Sequence, residues 1–226
     1  MIISAFEADE RQVLMEFVQP IKDLKQIETI KRLLRQQNLR DYCLFVLGIN
    51  SGLRISDLLQ LRICDVSEKG KPKDRIRIRE TKTSKFKDFP ISDNAKAAIK
   101  EYLKTRTIIE NEPLFQSRKR NRAEAEGLGE VRDRNAVNRE VSRGNKGFLT
   151  RQQAYRILND VARCVGIKDK IGTHTLRKTF GYHAHNNGYD ITLIQKLFNH
   201  STPSITLRYI GITQEQLDDV YLSLDL

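Results

Sequence analysis

Six polar side chains between positions 54 and 209 are of the types that work on a phosphodiester. Arg54 stands in SGLRISDLLQL, Lys82 in ETKTSKFKDFPI, His174 and Arg177 in THTLRKTF, and His200 and Tyr209 in NHSTPSITLRYI. Guanidinium groups neutralise phosphoryl oxygens as charge builds on them, imidazoles and an ammonium move protons, and a tyrosine hydroxyl is a nucleophile. His174 and Arg177 are spaced i, i+3 and share one face of a helix. Arg54 follows Ser51-Gly52-Leu53 at the start of a helix, where the helix N-terminus and the guanidinium both favour a phosphate. Tyr209 comes nine residues after His200, at the end of a short helix announced by Ser201, Thr202 and Pro203. Taken singly, each residue has an ordinary reading, such as a surface arginine or a core tyrosine with a satisfied hydroxyl. Lys82 shares its stretch with Lys85 and Lys87, which compete for the same role. A lysine of ordinary pKa, about 10.4, suits acid catalysis poorly unless it is shifted. Asp57 is expected to hold Arg54 through a salt bridge, His183 and His185 to pack or face solvent, and the other six tyrosines to lie in the core.

The elements that must position these residues are mostly helical. Ile27, Ile30, Leu33 and Leu34 recur at helical spacing, and Asn38 offers an N-cap for an apolar helix over 39–49 that Ser51-Gly52 breaks. A third helix is expected through Leu58, Leu59 and Leu61. Residues 75–81 and 86–91 alternate, with Ile76 and Ile78 on one face and Arg75, Arg77 and Arg79 on the other. Thr83-Ser84-Lys85 reads as the tip of the hairpin between them, the only clear sheet signal. Helical signals return over 94–103, 151–165, 175–187 (closed by Gly188) and 190–198. The fold class is α+β, mostly α with a small antiparallel sheet.

A chain of 226 residues holds one or two domains and a sizeable core. Its 40 Lys and Arg against 29 Asp and Glu give a formal net charge of +11. That excess points to a polyanion, nucleic acid ahead of membrane, against the plainer reading of a basic soluble protein. Cys43, Cys64 and Cys164 are odd in number and widely spaced, fit no zinc or disulfide pattern, and read as core thiols in a reducing cytoplasm. No secretory signal and no membrane span is recognisable. The stretch 117–147 has few large apolar residues and no period, so it reads as a solvated loop or as a basic flap on DNA.

Together and in this order, Arg54, Lys82, the HxxR pair His174 and Arg177, His200 and Tyr209 resemble the active site of the tyrosine recombinases, the phage-integrase family. The match runs from about Ile21 to Tyr209. The resemblance implies the tyrosine-recombinase catalytic-domain fold and a site-specific recombinase or integrase of mobile-element type. It further implies a 3′-phosphotyrosyl intermediate on Tyr209, with Arg54 and Arg177 on the non-bridging oxygens and His174 and His200 positioning the phosphate and moving protons. The family's KT step selects Lys82 as the group that protonates the leaving 5′ oxygen. No cofactor and no metal are implied. The implied partner is double-stranded DNA, bound by a homo-oligomer, a tetramer. A type IB topoisomerase-like relaxase and a non-catalytic DNA-binding regulator on the same fold are the alternatives.

The resemblance also frames the expected domains. Residues 1–20 form a lead-in, 21–211 a catalytic domain with a basic insertion over 117–147, and 212–226 a C-terminal helical tail. Most family members carry an N-terminal helical DNA-binding domain. Here about twenty residues precede the resemblance, so weak DNA binding by the lone chain and an accessory DNA-binding protein are expected. In the tail, Thr213 and Gln216 suggest a capping box, and Leu217, Val220, Tyr221 and Leu224 an apolar stripe. Such a helix packs on its own core or docks on a neighbouring subunit.

Overall fold

The structure, a computed structural model, describes residues 18–117, 147–211 and 222–223. The lead-in up to residue 17, most of the basic insertion and nearly all of the tail lie outside the described residues.

The first helix, α1 (Leu24–Gln37), starts at Asp23, whose side chain accepts from the Lys25 amide, and buries Ile27, Ile30 and Leu34. Asn38 ends it and caps α2 (Leu39–Ser51) by accepting from the amides of Arg40 and Asp41. Helix α2 is the spine of the core: Cys43, Leu44, Phe45, Val46 and Leu47 are all buried, and α1, α5 and α7 pack against it. Gly52 stops it in the left-handed conformation, with φ of 58°. A Cβ there would lie 2.8 Å from Phe180 and 3.0 Å from Phe198, so glycine is required both by backbone sign and by space. Two short helices follow, α3 (Ile55–Leu59) and α4 (Ile63–Val66). The third expected helix therefore ends before Leu61, which is buried between the two.

A two-residue ladder, β1 (Ser67–Glu68) with β2 (Lys71–Pro72), carries too few residues to show a period, and pattern reading misses it. The main hairpin, β3 (Arg75–Arg79) with β4 (Phe86–Pro90), is antiparallel, pairing Ile76 with Phe89 and Ile78 with Lys87. Helix α5 (Asp93–Leu103) begins at Ser92, whose hydroxyl accepts from the Ala95 amide, and packs on α2. Ser117 and Gly147 are joined by a backbone hydrogen bond of 2.9 Å, so these two positions lie side by side. Helix α6 (Arg151–Cys164) has a Thr150–Gln153 capping box. Then come α7 (Thr175–Asn186), α8 (Ile191–Phe198) and α9 (Pro203–Ile210), with Pro203 at the first helical position.

The main core lies between α1, α2, α5 and α6. A smaller cluster of Ile194, Phe198 and Ile210, with Phe180, Leu207 and Tyr209 against it, joins α7, α8 and α9. Gly181 permits that junction, since a Cβ there would come within 2.8 Å of Phe198. Two expectations about burial are corrected. Cys43 is buried, but Cys64 is half-buried and Cys164 exposed, because the inward stripe of α6 runs through Ala154, Leu158, Val161 and Ala162. Tyr102 is buried, whereas Tyr155 and Tyr189 face solvent and Tyr221 lies outside the described residues. Among the described residues, no helix is long and apolar enough to cross a membrane.

Candidate active site

Arg177, on the first turns of α7, is the largest fully buried side chain and only 1% exposed. A guanidinium inside a core must be satisfied. One terminal nitrogen donates to the Gly52 carbonyl at 2.7 Å and the other to the Phe198 carbonyl at 2.6 Å, while the group lies 4.2 Å from the Phe198 ring centre. Arg177 thereby ties the ends of α2 and α8 to α7. Its Nε is buried with no partner among the described residues. Burial first, then Arg54, pulls its pKa down to about 10, which leaves it charged at neutral pH.

The same guanidinium lies 3.3 Å from His200 Nε2. Arginine only donates, so this nitrogen accepts and the ring proton sits on Nδ1, which faces the Thr206 hydroxyl at 3.0 Å. His200 is thus fixed as a neutral imidazole of one tautomer. Burial and the charges of Arg177 and Arg54 agree, pushing its pKa down to about 4.

Tyr209, near the end of α9, rests its half-buried ring on His200, with centroids 4.7 Å apart, and on Phe198 at 5.9 Å. Its hydroxyl lies 3.0 Å from Nδ1 of His174, the N-cap residue of α7. Burial, then the positive charges of Arg151, Arg177 and Lys178, lowers the His174 pKa. A neutral imidazole at this distance can take the phenolic proton.

Arg54 is the N-cap residue of α3, half-buried, and its side chain does not go to Asp57 as expected. It pairs with Glu80 at 2.8 Å, while Asp57 turns to the hairpin and accepts from the Thr81 amide at 2.9 Å. Glu80 is a hub that reading the sequence missed. It is 1% exposed, and its Oε2 also accepts from the Thr83 hydroxyl at 2.6 Å and the Asn199 amide at 3.2 Å. One carboxylate oxygen thus binds the Arg54 turn, the hairpin tip and the residue before His200. Burial alone would raise its pKa, but the Thr83, Arg54 and Asn199 contacts outweigh that and hold it low.

Of the three competing lysines, Lys82 and Lys85 are exposed on the hairpin turn, and Lys87 is buried. Lys87 lies on the inward face of β4, with its ammonium 5.4 Å from the Phe89 ring centre. Burial first, then Arg177, lowers its pKa to about 8. The signal that both Glu80 and Lys87 turn inward was in the alternation: Glu80 follows Ile76 and Ile78 in step, and Lys87 stands opposite Ile78. His183 donates from Nε2 to the Ile21 carbonyl, 3.0 Å away, in a packing role. The assembled patch offers fixed cations, a hydroxyl aimed at a neutral base, and a second neutral imidazole, the set needed to move a phosphoryl group onto an oxygen nucleophile.

A model of the phage integrase family matches residues 21–216. The chain belongs to the phage integrase family. It is 42% identical over 207 residues to a probable integrase/recombinase, YoeC, of Bacillus subtilis (strain 168), a match covering 92% of this chain and 97% of that protein. It is 30% identical to the tyrosine recombinase XerC of Thermodesulfovibrio yellowstonii, over 80% of this chain but only 53% of the relative. A solved structure of XerH site-specific recombinase bound to palindromic difH substrate, a post-cleavage complex, superposes with a TM-score of 0.61 at 17% identity. It covers 93% of this integrase-family chain and 54% of that chain. The chain therefore spans about half the length of XerC and XerH. The fold is that of tyrosine-recombinase catalytic domains, a class of DNA strand-transferring enzymes.

Proposed function

We propose that this chain cleaves and rejoins double-stranded DNA at specific sites through a 3′-phosphotyrosyl intermediate on Tyr209. The observation that carries this is the Tyr209 hydroxyl, 3.0 Å from a neutral imidazole and in the same cluster as two charged guanidinium groups. In the proposed step Tyr209 Oη gives its proton to His174 Nδ1 and bonds to phosphorus. The bond from phosphorus to the 5′ oxygen breaks, and that oxygen takes a proton from Lys82 on the hairpin turn. Arg54 and Arg177 neutralise the non-bridging oxygens, and His200, accepting from Arg177, helps to position that guanidinium beside the phosphate. The 5′ hydroxyl of a partner strand then reverses the step. The ester energy is kept in the phosphotyrosine bond, so the reaction needs neither nucleotide nor metal.

The same reading assigns 1–20 as a lead-in, 21–211 as the catalytic domain with a basic insertion over 117–147, and 212–226 as a tail that docks on a neighbouring subunit. The working form is a homotetramer on DNA in the cytoplasm, helped by an accessory DNA-binding protein. A net charge of +11 supports the polyanion partner. The test is strand transfer from a nicked suicide duplex to a second, labelled duplex. Joined product supports a recombinase. An adduct that only reseals its own strand would make the chain a relaxase, and DNA binding with no adduct a regulator.

A further inference from the structure

Lys87 is a buried cation to which the six-residue mechanism gives no work. It sits on β4 opposite Ile78, so strand alternation turns it to the face that carries Ile76, Glu80 and Phe89. It is only 9% exposed. An apolar residue would fill this position beside Ile78 and Phe89 at much lower desolvation cost. Its ammonium instead feels Arg177 and Arg54 as repulsion, and Glu80 and Asp57 as attraction through space. Around Lys87, three cations (Lys87, Arg177 and Arg54) thus face two carboxylates (Glu80 and Asp57), and Lys178 and Arg151 add positive charge on the His174 side. The site is in positive excess, and a phosphodiester supplies negative charge to offset it.

We infer that Lys87 is a further catalytic cation of this site, contacting a non-bridging oxygen of the scissile phosphate alongside Arg54 and Arg177. The inference rests on the phosphotyrosine reading and deepens it. It separates two lysine roles on one hairpin. Lys82, on the exposed turn, serves the leaving oxygen, and Lys87, fixed inside the fold, serves the charge that builds on phosphorus. The Phe89 ring and the backbone ladder hold the ammonium in place before DNA arrives, so no reorganisation is required at the moment of reaction. Burial first, and then the neighbouring Arg177, lower its pKa to about 8, and an arriving anion raises it again.

The test is single-turnover cleavage by the full chain on nicked suicide duplexes with three scissile linkages: the ordinary phosphate, a 5′-bridging phosphorothiolate and a methylphosphonate. The sulfur leaving group needs no acid, and the methylphosphonate has no negative oxygen to neutralise. Lys87→Met should slow the ordinary linkage by roughly 10²-fold. It should stay slow on the phosphorothiolate and return to within a few-fold of wild type on the methylphosphonate. Lys82→Met should show the reverse pattern, and Lys87→Arg should keep most of the ordinary rate. Should Lys87→Met fail to fold, Lys87→Gln is read in the same way. Wild-type rates in Lys87→Met, or rescue of it by sulfur, would overturn the inference, the latter by making Lys87 the leaving-group acid. Absence of any adduct with the wild-type chain on all three linkages would instead bring down the phosphotyrosine reading itself.

Discussion

Replacing Arg177 with alanine should damage the fold as well as the chemistry, because the group proposed to face the phosphate is also an internal staple. Its two terminal nitrogens hold the Gly52 and Phe198 carbonyls at 2.7 and 2.6 Å, and the substitution leaves both acceptors in a site with 1% exposure. Hydrogen bonds from a charged donor contribute roughly 1.5–3 kcal/mol each, so the pair amounts to about 3–6 kcal/mol. For a chain of this size each kcal/mol moves Tm by about 2–4 °C, which gives a fall of about 6–24 °C. Tyr209→Phe is the contrast. It deletes one hydroxyl contact, to His174, and keeps the ring, at a cost of about 0.5–1.5 kcal/mol. Thermal unfolding of wild type, Arg177→Ala and Tyr209→Phe in one buffer without DNA measures the difference. An Arg177→Ala midpoint within about 2 °C of wild type would refute the staple. A cleavage defect in that variant must accordingly be read on protein shown to be folded.

Three further outcomes are expected. Glu80→Ala, which removes the acceptor shared by Arg54, Thr83 and Asn199, should cost about 3–5 kcal/mol in thermal unfolding, as loss of one partner of a buried pair does, whereas Glu80→Gln should cost less and still slow single-turnover cleavage. The His200 pKa is depressed to about 4, below its unfolded value of about 6.5, so stability is fully present above about 6.5 and declines as pH falls toward about 4; melting scans of wild type and His200→Gln should diverge in that window. Cleavage in excess EDTA should match the untreated rate, because arginine and lysine supply the charge that a metal otherwise would, and loss of cleavage restored by magnesium would contradict this.

The helical part of the fold was legible because its signals are local. Asn38, Gly52 and Pro203 mark helix ends by backbone chemistry that no tertiary contact has to supply. The β1–β2 ladder and the break at Leu61 were not, since two-residue strands and helices of four or five residues are too short to show their period. Within the site, the residues proposed to touch the reacting groups stood out by type and spacing, and the residues that hold them did not. Asp57 was the natural partner for Arg54 by proximity along the chain, yet Glu80, 26 positions away, takes that place once the hairpin folds over α3. Charge buried by long-range packing leaves only a faint trace in sequence, an acid or a lysine standing in step with isoleucines. Glu80 and Lys87 were visible in that way, and the trace points inward without naming a partner. The alternation was nevertheless correct about Arg75, Arg77 and Arg79, which face solvent.

The central claim is that Tyr209 is the nucleophile. Its most direct test is to trap the full chain on a nicked suicide duplex, digest the adduct and map the nucleotide-bearing peptide by mass spectrometry. The account predicts a 3′-phosphodeoxynucleotide on Tyr209 in the wild type, and DNA binding without any adduct in Tyr209→Phe. An adduct on another tyrosine, or one that persists in Tyr209→Phe, would contradict it.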